Sequence, residues 1–114
     1  MPQYILLIYN PVGGDPSPEQ MQEIGARYDA YTQSLMDAGV LVGGDALESV
    51  DTATTVRERD GQTQFTDGPF AETKEQVAGL NVLACPSLAQ ACEIASQHPT
   101  ARFGTLELRP FDRE

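Results

Sequence analysis

His98 is the only histidine in the 114 residues, and so the only side chain whose ordinary pKa lies near neutrality. Proton transfer at physiological pH would have to run on its imidazole or on a carboxylate moved by its surroundings. The same residue has a plainer role open to it. It precedes Pro99 at the end of a helical segment, where a protonated imidazole offsets the helix dipole and the proline stops the helix. Asp67 is the second catalytic candidate. It lies in Thr66-Asp67-Gly68-Pro69-Phe70-Ala71-Glu72-Thr73-Lys74-Glu75, a segment that follows neither a helical nor a strand period. Gly68 permits positive φ, Pro69 fixes its own φ and keeps Gly68 out of the α region, and Asp67 can accept backbone N–H bonds as a turn-former. Phe70 is expected to be buried as the anchor of this loop. Phe70 and Glu72 are candidate ligand contacts at its lip, although Glu72, Lys74 and Glu75 also read as a solvated charge run. Glu107 and Arg109 complete the set. They stand two apart on one face of a strand whose other face carries Leu106 and Leu108, so they form an ion pair at a rim or interface, or meet a ligand.

Other chemistries find little support. Cys85 and Cys92 do not have zinc spacing and no His or Cys cluster completes them, so no metal or cofactor is expected and both are read as buried free thiols. The Gly13-Gly14 loop after the first strand lacks both phosphate-cradle patterns and is followed by no lysine. Seventeen acids against seven bases give a net charge of −10, which argues against nucleic-acid backbones and anionic membranes as partners. No apolar run reaches the length of a membrane span and no secretory signal opens the chain, so the expectation is a cytoplasmic protein of one domain, residues 1–114.

The elements that must position these residues are legible in order. Tyr4-Ile5-Leu6-Leu7-Ile8-Tyr9 is apolar on both sides, as a central strand covered on two faces is. Ser17 with Pro18 and Gln20 forms a capping box, and Met21, Ile24, Tyr28, Tyr31 and Leu35 make an apolar helical stripe ending at Gly39. A strand over 40–47 contains a bulge or close approach at Gly43-Gly44. Asp60-Gly61 joins two polar, peripheral strands in a hairpin. A strand over 79–85 follows. A second helix is capped by Ser87 and Gln90 and buries Leu88, Ala91, Cys92 and Ala95. The last strand spans 103–109, before Pro110 and a loose acidic tail at 111–114. Without the hairpin the order is β-α-β-β-α-β, an α+β ferredoxin-like fold with both helices on one sheet face. The bare second face would be an exposed apolar patch, and a second copy of the chain is the simplest cover.

Residues 66–75 resemble the defining motif of the DGPF-domain proteins, a branch of the YCII-related superfamily. The likeness extends to Tyr4–Tyr9, to Thr55-Val56-Arg57 and to Glu107-Leu108-Arg109-Pro110. It implies a homodimeric α/β barrel, two ferredoxin-like units packed sheet to sheet. Some relatives in the superfamily are enzymes on small cyclic substrates, and others are linked to extracytoplasmic-function sigma factors. Two functions therefore follow as expectations. One is a protein that binds or transforms a small molecule in a cleft between the sheet, the second helix and the DGPF loop. The other is a non-catalytic regulatory or protein-interaction module associated with such a sigma factor. The first helix departs from the superfamily's catalytic pattern: relatives thought to be catalytic carry there a His paired with an Asp, whereas this chain reads Ala26-Arg27-Tyr28-Asp29-Ala30-Tyr31.

Overall fold

The computed structural model describes residues 1–13 and 16–112. Gly14 and Asp15 of the diglycine loop, and Arg113 and Glu114 of the acidic tail, lie outside the described residues. Strand β1 (Gln3–Pro11) leads to helix α1 (Pro18–Asp37) and strand β2 (Leu41–Ala46). Strands β3 (Thr54–Arg59) and β4 (Gln62–Asp67) form the hairpin, and β5 (Glu75–Ala84), α2 (Leu88–Ser96) and β6 (Thr105–Pro110) finish the chain. The main sheet has four antiparallel strands in the order β2-β5-β1-β6, and β3-β4 is a separate two-stranded sheet. This is the ferredoxin-like α+β arrangement with an inserted hairpin. Among the described residues no helix is long and apolar enough to cross a membrane.

Local chemistry sets the element ends. Ser17 Oγ accepts the Gln20 N–H at 3.1 Å while Gln20 Oε1 accepts the Ser17 N–H at 2.9 Å, so the capping box of α1 is complete. At α2 only half of it forms: Ser87 Oγ accepts the Gln90 N–H at 3.3 Å, with no return bond from the Gln90 side chain among the described residues. Gly39 ends α1 at φ +72°. Asp60 and Gly61 have φ of +53° and +75°, the two left-handed residues of a tight hairpin turn.

Both helices pack on one face of the main sheet. Leu6, Leu83, Tyr31, Leu35 and Ala95 make one buried cluster, and Tyr4, Cys85 and Ala91 a second. The register puts Leu6 opposite Asn81 and Leu108, and Ile8 opposite Gly79 and Leu106, on this inner face. Ile5 opposite Val82 and Arg109, and Leu7 opposite Leu80 and Glu107, point the other way, where all four apolar side chains stay half-buried. Three expectations of burial are corrected. Met21 is exposed at the outer end of the α1 stripe, and Leu88 and Cys92 are exposed on α2. The buried face of α2 runs through Ala91 and Ala95, one turn apart, and Cys92 is rotated away from it.

Candidate functional site

The residues singled out in the sequence do not converge. Asp67 ends β4 opposite Thr54, is exposed, and accepts no hydrogen bond at its carboxylate among the described residues. Phe70 is 79% exposed, which overturns its expected role as a buried anchor. Glu72 is exposed on the same loop. The loop is held by other means: Gly68 at φ +96° donates its N–H to Ala53 O at 2.7 Å, and Thr55 Oγ1 donates to Gly68 O at 2.8 Å. Gln76 Nε2 binds Ala71 O at 2.8 Å, and the Val12 N–H binds Lys74 O at 2.9 Å. Glu107 and Arg109 lie on the open sheet face. The Tyr9 hydroxyl donates to Glu107 Oε1 at 2.8 Å, and that bond to a carboxylate raises the phenol's pKa above its usual 10.0. Arg109 makes no ion pair among the described residues.

His98 alone lies where a site can form. It is 5% exposed and caps a short turn at Pro99–Arg102, its Nδ1 accepting the Thr100 N–H at 3.0 Å. Tyr28 and Tyr31 of α1 flank the ring, with centroids at 5.4 Å and 4.8 Å, the second edge-on. Burial pushes the imidazole pKa down to about 4, so the ring is neutral at physiological pH and does not act as the helix-end cation expected of it. With Nδ1 accepting, the ring proton sits on Nε2, which makes His98 a hydrogen-bond donor to anything beside it. Tyr31 is fixed by donating to Ile94 O at 2.8 Å, and burial carries its hydroxyl pKa up to about 12.

A second chain of bonds runs through the fully buried Thr100. Its hydroxyl donates to Asn10 Oδ1 at 3.1 Å and so must accept from the Tyr28 hydroxyl, 2.9 Å away. Asn10 is thereby oriented with its carbonyl engaged and its amide N–H groups left to donate.

Asn10, Tyr28 and His98 form one end of a groove of about 510 Å³ between α1 and the β2–β5 side of the sheet. Asp29, Thr32, Gln33 and Met36 of α1 make one wall. Gly44, Asp45 and Ala46 of β2 with Ala78, Gly79 and Asn81 of β5 make the other, and Ile8 and Leu41 add apolar surface. Two glycines leave room for the groove at this corner of the sheet. A Cβ on Gly44, at φ +135°, would stand 2.2 Å from Leu80 O, and one on Gly79 would stand 3.0 Å from Asp45 O. The strands approach too closely there for anything but glycine. Asn81 is the odd residue. It faces inward opposite the fully buried Leu6, yet its side chain has no hydrogen-bond partner among the described residues.

Sequence reasoning missed Asn10, Asp29, Asp45 and Asn81, and read Tyr28 first as part of the apolar stripe of α1. Asn81 was the one detectable from composition, as the only polar side chain in the apolar run 79–85. The arrangement can bind an organic molecule through donors at Asn10, Asn81 and His98, with two carboxylates, Asp29 and Asp45, able to accept a proton or a hydroxyl. Among the described residues no Lys or Arg lines it. Among the described residues no three His, Cys, Asp or Glu are grouped to hold a metal ion.

The comparisons with known proteins point the same way as the fold. The family model for the YCII-related domain matches residues 1–112. An uncharacterised protein of Rhizobium meliloti (strain 1021) is similar to the chain at 34% identity over 112 residues, covering 95% of this chain and 90% of that protein. The chain belongs to the YCII-related domain family.

Proposed function

We propose that this protein binds a small, uncharged organic molecule in the groove between α1, β2 and β5, through hydrogen-bond acceptors on that molecule. The observation that carries the reading is Asn81, a polar side chain on the inner sheet face with no partner among the described residues, at a groove whose far end is a fixed donor set. The half-buried Asn81 amide is open to the groove, where a bound acceptor can take the place of water on its N–H groups. The cleft expected from the sequence lies between the sheet, the second helix and the DGPF loop; in this proposal α1 takes the place of the last two. The regulatory alternative draws on the exposed Phe65 of the hairpin and Phe70 of the loop after it, and the groove favours the ligand. The motif at 66–75 supports placement in the DGPF branch, and the exposed free thiol of Cys92 suits a reducing, cytoplasmic setting.

The same reading includes a homodimer joined through the open sheet face. Ile5, Leu7, Leu80 and Val82 are half-buried there. Arg109 is exposed on that face and lacks an ion pair among the described residues. A partner would satisfy both kinds of surface.

The ligand reading is tested with two matched probes, cyclohexanone and cyclohexanecarboxylate, titrated at millimolar concentration while ¹H–¹⁵N spectra are recorded. The ketone should shift the amides of Asn10, Asn81 and the residues around His98, and the carboxylate should not. Asn81→Leu should abolish the ketone response while keeping the urea midpoint at or above that of the parent. A ketone response mapped to the opposite sheet face, or unchanged by Asn81→Leu, would sink the proposal.

A further inference from the structure

The β3–β4 hairpin poses a physical problem. A two-stranded hairpin standing alone is marginal in water, and this one belongs to a sheet of its own beside the main sheet. Val56 and Phe65 are register partners on one of its faces, yet they remain 58% and 73% exposed. Cross-strand apolar pairs of this kind stabilise a hairpin chiefly when something covers them.

The surface of the whole chain says how much cover is wanted. It exposes 8245 Å², whereas a compact monomer of 12.3 kDa exposes about 6,100 Å². The radius of gyration, 16.1 Å, is likewise above the roughly 13 Å of a compact domain this long, and the molecule measures 47 × 46 × 18 Å. The surplus of about 2,100 Å² is more than twice what one partner contributes to a standard interface, about 800 Å². The open sheet face cannot account for it. Strands of 9, 6, 10 and 6 residues make a plane of roughly 26 × 19 Å, about 500 Å². A sheet-to-sheet contact of that size falls short of a stable dimer on its own.

We propose that the β3–β4 hairpin is an arm that clasps a second copy of this chain, seating Val56 and Phe65 against it. The arm would complete an interface that the sheet face alone is too small to hold. A second copy is the occupant because the surplus area is of the size an extensive homodimer buries, and because a two-fold assembly uses both arms at once. The proposal rests on the sheet-face dimer above, and the test separates the two.

The full chain, free of tryptophan, gives a clean reporter. Sedimentation velocity is run on the parent, on Leu7→Asp at the sheet face, and on the double variant Val56→Ser/Phe65→Ser. A single indole is introduced by Phe65→Trp, and its emission is followed with and without Leu7→Asp. Far-UV circular dichroism checks that each variant is folded. The parent should be a dimer and Leu7→Asp a monomer. The double variant should dissociate about 30-fold more readily, which is about 2 kcal/mol over the four apolar side chains that the two arms together seat. The emission of the Phe65→Trp protein should be blue-shifted in the dimer and red-shifted in the monomer that Leu7→Asp produces. A monomeric parent would overturn both the sheet-face reading and the arm. A dimeric parent that Leu7→Asp dissociates but the double variant leaves intact would overturn the arm alone. So would indole emission that is the same in dimer and monomer.

Discussion

Lowering the pH should destabilise this protein through His98, by an amount the structure fixes. The ring titrates at about 4 in the folded chain and at 6.5 in the unfolded one. Between those values the unfolded state binds a proton that the folded state refuses, so stability falls as pH falls through that interval. The contribution is fully present above 6.5 and gone below about 4. Each unit of separation is worth about 1.36 kcal/mol, which gives a ceiling of about 3 kcal/mol. For a domain whose total stability is on the order of 6–17 kcal/mol that is a large share. The cause is local: protonating Nδ1 would set its new N–H against the Thr100 N–H it now accepts, inside a pocket of two tyrosine rings. Carboxylates titrate in the same range, so the parent must be compared with His98→Asn, whose amide oxygen can still cap the Thr100 N–H. Urea unfolding of both proteins, at one protein concentration and a series of pH values, measures the difference. The parent should lose about 3 kcal/mol more than the variant between pH 6.5 and about 4. Parallel curves would mean that water reaches the ring, and the assignment of its proton to Nε2 would fall with that.

Two further outcomes follow from the packing. Gly104→Ala should cost about 3 kcal/mol or more, because the new Cβ would lie 2.2 Å from Tyr9 O, backbone of the β1–β6 pairing, and 2.8 Å from Cγ2 of the fully buried Thr100; a urea midpoint close to the parent's would contradict it. Phe70→Ala, measured in the Leu7→Asp background so that self-association plays no part, should change stability by no more than about 0.5 kcal/mol. A loss of several kcal/mol would show that the ring is covered by its own chain after all.

The backbone plan was legible because each of its signals is local. The capping box of Ser17 and Gln20, the left-handed pair Asp60-Gly61 and the two-sided apolar run around Leu6 each specify geometry within a few residues. The groove was not legible, because it is assembled across the chain. Asn10 and Thr100, ninety residues apart in sequence, meet in one bond, and Tyr28 joins them from the helix between. His98 was read from its neighbours, as a helix-end cation, and nothing near it in sequence announces the two tyrosines that keep it neutral. Phe70 failed in the opposite direction. Its aromatic character suggested burial, yet whether anything covers a loop residue depends on the rest of the fold, and here the described residues of its own chain leave it open.

The glycines at the β2–β5 corner give the groove two walls of different kinds. One is the sheet, fixed where Gly44 meets Leu80 O and Gly79 meets Asp45 O, and any larger residue at those two positions would push the strands apart. The other is a row of side chains on α1, of which Thr32, Gln33 and Met36 are exposed and free to vary. Beyond Asp45 and Asn81, a change in the size or polarity of the molecule admitted is therefore most readily written into the helix. The groove works as a vice with one jaw welded in place, and substitutions at those three helix positions would retune what it holds while leaving the sheet, and the fold with it, as they are.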